Sequence, residues 1–185
     1  SPAGNLYVSF CIRLDSLASA GNYSFLSAAA LAQTLENFGL HPRCKWPNDL
    51  LIDGKKVSGI LLETDGKNRL VVGIGVNLLP VEAENLLYPV TSLANEGVDT
   101  TPREVLSRLV ERFEALEKMP FSAVLDSWRQ RAYGLGQPIT VNLPAGKIQG
   151  TFYGLDNDGV LLLKCGQQIM RITAGDVFFG EQGKK

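Results

Sequence analysis

Residues 44–79 restrict the fold more tightly than any other stretch of this 185-residue chain. Three runs, 44–53, 55–64 and 69–79, are rich in apolar and β-branched residues and read as strands. They are joined only by Asp53-Gly54 and by Asp65-Gly66-Lys67-Asn68. Connections this short cannot carry a crossover, so the three runs must pair as antiparallel neighbours. Two departures from strand rules stand out. Pro47 breaks the first run, and Gly73 and Gly75 lie inside the third. Glycines in a strand interior mark a bulge or a place where another backbone or a ligand comes close.

The remaining elements assemble around this meander. Residues 6–14 read as another strand, and 23–38 as a helix that Gly39 ends. The run Ala28-Ala29-Ala30 lets that helix approach a sheet closely. Thr101-Pro102-Arg103-Glu104 combines an N-cap, a first-turn proline and a capping box, so a helix is predicted from there to about 119. Pro120 ends it, and a further helix over 121–133 stops at Gly134 and Gly136. Residues 81–98 look like irregular connection. From Gln137 the texture changes to four short strands, 139–143, 147–155, 160–165 and 168–172, with tight turns between them. That pattern predicts a small antiparallel barrel. The expected class is therefore α+β: a mixed, mainly antiparallel sheet backed by helices over 1–133, then a barrel over 137–180.

Composition removes several functions. The net charge is −1 with no basic stripe, so nucleic acid is not an expected partner. No helix-turn-helix is visible, and no apolar run approaches the roughly 20 residues of a membrane helix. Cys11, Cys44 and Cys165 are isolated, which predicts reduced thiols and a cytoplasmic location rather than a disulfide framework. His41 is the single histidine. It rules out a His-rich zinc site, and its place before Pro42 in a connector reads as a surface residue.

The chemistry concentrates in Lys45-Trp46-Pro47-Asn48-Asp49, in Lys55-Lys56-Val57-Ser58-Gly59-Ile60-Leu61 and in Gly73-Ile74-Gly75-Val76-Asn77. Each has an ordinary reading alone: a packed corner, a solvated hairpin tip, a strand end. Three such segments on neighbouring strands point to a built site. Together with the opening Ser1-Pro2-Ala3-Gly4-Asn5-Leu6 and, less closely, Gly175-Asp176-Val177, they resemble the biotin protein ligases over nearly the whole chain. The lipoate ligases are a weaker resemblance, and a non-catalytic relative that binds a carrier domain or a nucleotide is the other alternative.

The resemblance implies a class II synthetase-like ligase core followed by an SH3-like domain. It implies ATP, magnesium and biotin as ligands, formation of biotinyl-5′-AMP, and transfer to a lysine of a biotin carrier domain. Lys56 matches the catalytic lysine, and Asp49 the aspartate that would orient and deprotonate the carrier lysine or help position magnesium. Lys55 is set aside because adjacent strand positions face opposite sides. Trp46, Lys56, Gly59, Ile60, Gly73 and Gly75 fall on the biotin site. Lys45, Asn48, Lys56 and Asn77 fall on the ATP site, with Asn77 against adenine. The family's GRGRxG loop would lie just upstream of Ser1, so residues 1–185 alone are expected to bind biotinyl-AMP weakly and to ligate poorly. At the end of the last strand, where the family often carries an arginine, this chain has Phe178-Phe179-Gly180. The 59–79 hairpin is expected to leave an edge that could pair two copies into a homodimer.

Overall fold

A computed structural model describes residues 4–81, 89–144 and 146–179. Ser1–Ala3 of the opening motif, part of the 81–98 connection and Ala145 in a predicted turn lie outside the described residues. Among the described residues, two five-stranded sheets and three α-helices make up the fold, the α+β class expected.

The first sheet has the order β1-β5-β4-β3-β2, built from β1 (Leu6–Arg13), β2 (Arg43–Lys45), β3 (Asp49–Ile52), β4 (Lys55–Thr64) and β5 (Arg69–Val76). The single strand predicted over 44–53 is in fact a hairpin. Lys45 pairs with Asp49, and Trp46-Pro47-Asn48 forms the bend. Proline has no N–H to give a ladder, which is why the chain turns there. All strand pairs are antiparallel. Among the described residues, the parallel character expected of a mixed sheet is confined to two isolated bridges, Cys44 with Ala132 and Lys56 with Val90.

One face of this sheet carries Leu70, Val72, Ile74 and Val76, all at most 2% exposed. Helix α1 (Asn22–Glu36) lies on that face. Its Ala28, Ala29, Ala30, Leu31 and Ala32 are fully buried, because α2 (Pro102–Glu117) and α3 (Phe121–Arg129) cover its other sides. Thr101 caps α2 by accepting from the Glu104 N–H. The capping box is half made, since the Glu104 carboxylate accepts from Thr100 and Arg108. Helix α3 stops four residues short of the predicted end. The chain there turns to pair with β2: Cys44 N–H donates to Arg131 C=O, and Tyr133 N–H to Cys44 C=O.

The second sheet has the order β10-β6-β7-β8-β9, from β6 (Pro138–Leu143), β7 (Gly146–Leu155), β8 (Leu161–Cys165), β9 (Gln168–Ile172) and β10 (Asp176–Phe179). It holds one strand more than predicted, because β10 is only four residues long and follows Gly175. The turn before β8 plugs into the rest of the molecule. Trp46 Nε1–H donates to Gly159 C=O at 3.1 Å, and Arg129 donates to the carbonyls of Leu155 and Asp156. No described helix is long and apolar enough to cross a membrane.

Cys44 is fully buried beside this junction, and burial pushes its thiol up to about 12 from 9.0. The folded state therefore holds a proton that the unfolded state releases above pH 9. Stability contributed by this group is intact below pH 9 and is lost as pH rises toward 12. Urea titrations at a series of alkaline pH values should show a shallower decline for Cys44→Ala than for the parent protein. Equal slopes would remove Cys44 as a contributor.

Candidate active site

The site begins with a β-bulge. In the β3–β4 ladder Leu50 pairs with Ser58 and Leu51 with Lys56, so Val57 has no opposite residue. Counting by twos from Leu61 and Gly59, strict alternation would place Val57 on the face away from α1. The extra residue changes the phase. Val57 is fully buried, and Lys56 takes the open-face place, with its side chain 39% exposed. Lys55 sits at the hairpin end, exposed and paired with Ile52.

The open face then presents one row across four strands: Asp49 pairs with Gly59, Gly59 with Gly75, and Gly75 with Tyr7. A second row runs through Leu61, Gly73 and Ser9. Lys56 reaches along this face and over Gly59, placing Nζ 2.5 Å from Asp49 Oδ1. A methyl on Gly59 would lie 3.1 Å from that ammonium and 3.5 Å from the carboxylate. The glycine is there because the ion pair occupies the space a side chain would need. Lys45 Nζ lies 3.9 Å from the other Asp49 oxygen. Burial pushes the Lys45 ammonium below its ordinary pKa, against the opposing pull of Asp49 and Asp176.

Two cavities meet at this pair and share Asn48, Asp49 and Lys56. One, about 350 Å³, lies on the open face over Gly59, Gly73 and Gly75, with Tyr7 and Ser9 on its flank. The other, about 420 Å³, runs between the hairpin bend and the second sheet. Lys45, Trp46 and Pro89 line it from one side, and Tyr133, Asp176, Phe178 and Phe179 from the other. Lys45 Nζ stands 5.9 Å from the centre of the Phe178 ring.

Most of the residues picked out in the sequence meet here, in differing ways. Asn48 serves the loop: its side chain donates to Ile60 C=O at 2.7 Å, and its own C=O accepts from Ile60 N–H at 2.9 Å. Ile60 borders the open-face cavity, but Asn48 takes its main-chain groups, and its side chain is buried. Trp46 is 4% exposed and is both a packed corner and a cavity wall. Asn77 lines neither cavity; its Nδ2 donates to Thr91 C=O at 3.0 Å. His41 is exposed and lines a separate groove with Arg43 and Arg131.

Sequence reasoning did not bring Tyr7, Ser9, Pro89, Tyr133, Asp176, Phe178 or Phe179 to the site. Asp176 lies within Gly175-Asp176-Val177, already noted as a motif match, and that was the available signal. Nothing in the local sequence says that β10 faces the Trp46 bend. The edge expected of the 59–79 hairpin is only partly present. Strand β5 is enclosed by β1 and β4, and β3 reaches no further along β4 than Gly59. Leu61–Thr64 therefore has no second strand partner among the described residues, and Leu61 is 59% exposed.

Family models place this architecture. Residues 1–78 match the biotin/lipoate A/B protein ligase family, and residues 134–180 match the biotin protein ligase C-terminal domain. A biotin–[acetyl-CoA-carboxylase] ligase of Paracoccus denitrificans is 34% identical over 97% of this chain and 82% of its own length. A bifunctional ligase/repressor of Bacillus subtilis is 31% identical, also over 97% of this chain, which spans 60% of that longer protein. The apo biotin protein ligase of Aquifex aeolicus superposes with a TM-score of 0.86 at 27% identity, covering 96% of this chain and 83% of that one. A structure of the Aquifex enzyme in complex with biotin and ATP gives 0.79 at 28% identity, over 95% and 78%. The chain belongs to the biotin protein ligase family, whose members carry out ATP-dependent biotin ligation.

Proposed function

We propose that this chain activates biotin with ATP to biotinyl-5′-AMP and passes the biotinyl group to a lysine of a biotin carrier domain, in the cytoplasm. The observation that carries the reading is Lys56 at the junction of the two cavities. Activation presses a carboxylate against an α-phosphate, two anions that repel unless a cation stands between them. Biotin lies over Gly59, Gly73 and Gly75, where the absence of side chains admits a flat ring and tail. The phosphates of ATP lie in the second cavity, toward Lys45 and Lys56. Lys56 holds both reacting groups and stabilises the charge that grows as the carboxylate oxygen bonds to phosphorus and pyrophosphate leaves. Asn77 keeps Oδ1 and its second amide hydrogen for the adenine edge. We read 1–133 as the catalytic unit and 137–180 as the unit that closes its nucleotide side.

In the second half-reaction the carrier lysine arrives protonated and must lose that proton before it attacks the mixed anhydride. Asp49, against Lys56, orients the incoming amine and accepts the proton. Magnesium would come with the ATP phosphates, and Asp49 and Asp176 are the carboxylates that line that cavity. Both Asp49 oxygens face lysines, which argues against metal ligation by Asp49 in this arrangement. Asp49→Asn should slow single-turnover transfer from preformed biotinyl-AMP by about 100-fold, with a smaller loss in adenylation. Equal losses in the two half-reactions would overturn this role.

The exposed Leu61–Thr64 edge supports pairing with a second copy. The reading as a whole is tested by biotin-dependent exchange of labelled pyrophosphate into ATP, using the complete protein. Exchange that does not depend on biotin, or none at all, would overturn it.

A further inference from the structure

The bulge that turns Lys56 toward the site also loosens the strand that carries it. Val57 has no partner in β3, so the ladder is interrupted beside the residue whose placement matters most. A segment outside the sheet repairs this. Lys56 N–H donates to Pro89 C=O at 2.8 Å, and Thr91 N–H donates to Lys56 C=O at 2.9 Å. Lys56 is thereby held between Leu51 of β3 on one side and residues 89–91 on the other.

That segment is itself anchored with unusual density. Asn77 N–H donates to the carbonyl of the bulge residue Val57, and Asn77 C=O accepts from Leu93 N–H, each at 2.9 Å. The Asn77 side chain donates to Thr91 C=O. Thr91 is 1% exposed and Ser92 and Leu93 are fully buried. The Thr91 hydroxyl donates to the Glu96 carboxylate in a short hydrogen bond. A buried hydroxyl that donates to a carboxylate makes a strong, directional contact, here with the half-buried Glu96.

We infer that Thr91 and Glu96 are positioning residues for the reaction: their hydrogen bond fixes residues 89–91 against the main chain of Lys56 and so holds its ammonium over Gly59, between the two cavities. The inference rests on the proposed role of Lys56 and assigns residues 89–96 a part in catalysis. Asn77 belongs to the same device, because its side chain donates to Thr91 C=O while its main chain bonds Val57 and Leu93. Small displacements at a reacting group are enough to matter: a shift of about 1 Å can cost 100-fold in rate.

The test uses the complete protein. Thr91→Val keeps the volume and removes the hydroxyl. It should lower kcat for biotin-dependent pyrophosphate exchange by at least about tenfold and leave KM for biotin and ATP within about twofold. Thr91→Ser should restore the rate, and Glu96→Gln, which keeps an acceptor, should lose less than Glu96→Ala. Combined with Lys56→Ala, Thr91→Val should cause no further loss, because it acts through the missing lysine. Losses that multiply in the double variant, or an unchanged kcat, would overturn the inference. Hydrogen exchange of the Lys56 amide gives an arm independent of activity. It should accelerate in Thr91→Val, and an unchanged rate would also overturn the clamp. A parent protein with no exchange activity would refute the proposed function, while the amide measurement still decides the positioning.

Discussion

Lys56→Ala is expected to lower biotin-dependent pyrophosphate exchange by about 1,000-fold, the scale seen when a preorganised charge is removed from a transition state. The loss should fall in kcat, because the ammonium does most when the carboxylate oxygen and the α-phosphorus are bonding. The fold should survive. The Lys56 side chain is 39% exposed, and ion pairs of that kind contribute little to stability. Asp49 retains Lys45 as a neighbour at 3.9 Å, so its carboxylate is not stranded. Lys56→Arg is an informative companion. Arginine carries the charge on a longer, planar head, and Gly59 leaves room matched to a narrow ammonium. It should recover only a small part of the rate. A near-normal rate for Lys56→Ala would remove Lys56 from catalysis and with it the reading of the two cavities as one site. Unfolding of the variant, seen by circular dichroism, would mean that the lysine is structural.

A large stability effect should come from Gly134→Ala. Gly134 has φ +75°, and a methyl built there lies 1.8 Å from Cε1 of Phe179 and 2.6 Å from Cζ. Two costs combine: about 1–2 kcal/mol for an L side chain in the left-handed region, and about 1–3 kcal/mol for overpacking. The ring cannot retreat freely. It packs edge-on against Tyr133 at 4.8 Å between centres, and Phe179 pairs with Ile139 in the second sheet. Gly136 is the control. Its φ is +78° and nothing lies within 4 Å of a methyl there, so Gly136→Ala carries only the backbone strain. Urea unfolding should separate the two variants by at least about 1 kcal/mol, the overpacking contribution. Equal destabilisation would show that the Phe179 contact gives way without cost. Phe179 also lines the cavity in which the ATP phosphates are proposed to lie, so Gly134→Ala should raise KM for ATP more than KM for biotin.

The family was legible in the sequence, and so were the residue types that the proposed chemistry needs. A lysine, an aspartate and strand glycines in that spacing are intelligible without coordinates, because reactive side chains and missing side chains are local properties. The elements were also largely legible. Helix α2 starts where Thr101 and Pro102 say it should, and α1 is buried where its alanines allow close packing. Boundaries failed where a distant segment competed for the backbone. Helix α3 ended early because residues 131–133 pair with Cys44, and the 44–53 strand folded into a hairpin at Pro47.

Which lysine faces the site was not decided locally. Alternation over β4 separates Lys55 from Lys56, but only the bulge at Val57 puts Lys56 in line with Gly59, and a bulge is a property of two paired strands. The same holds for the clamp of residues 89–93 on Lys56, and for β10, which brings Asp176, Phe178 and Phe179 to the Trp46 bend. By itself the sequence determined the family and the residue types available to the proposed site. Their arrangement was left to the tertiary structure, because register, bulges and the docking of one sheet on another depend on contacts between residues far apart in the chain.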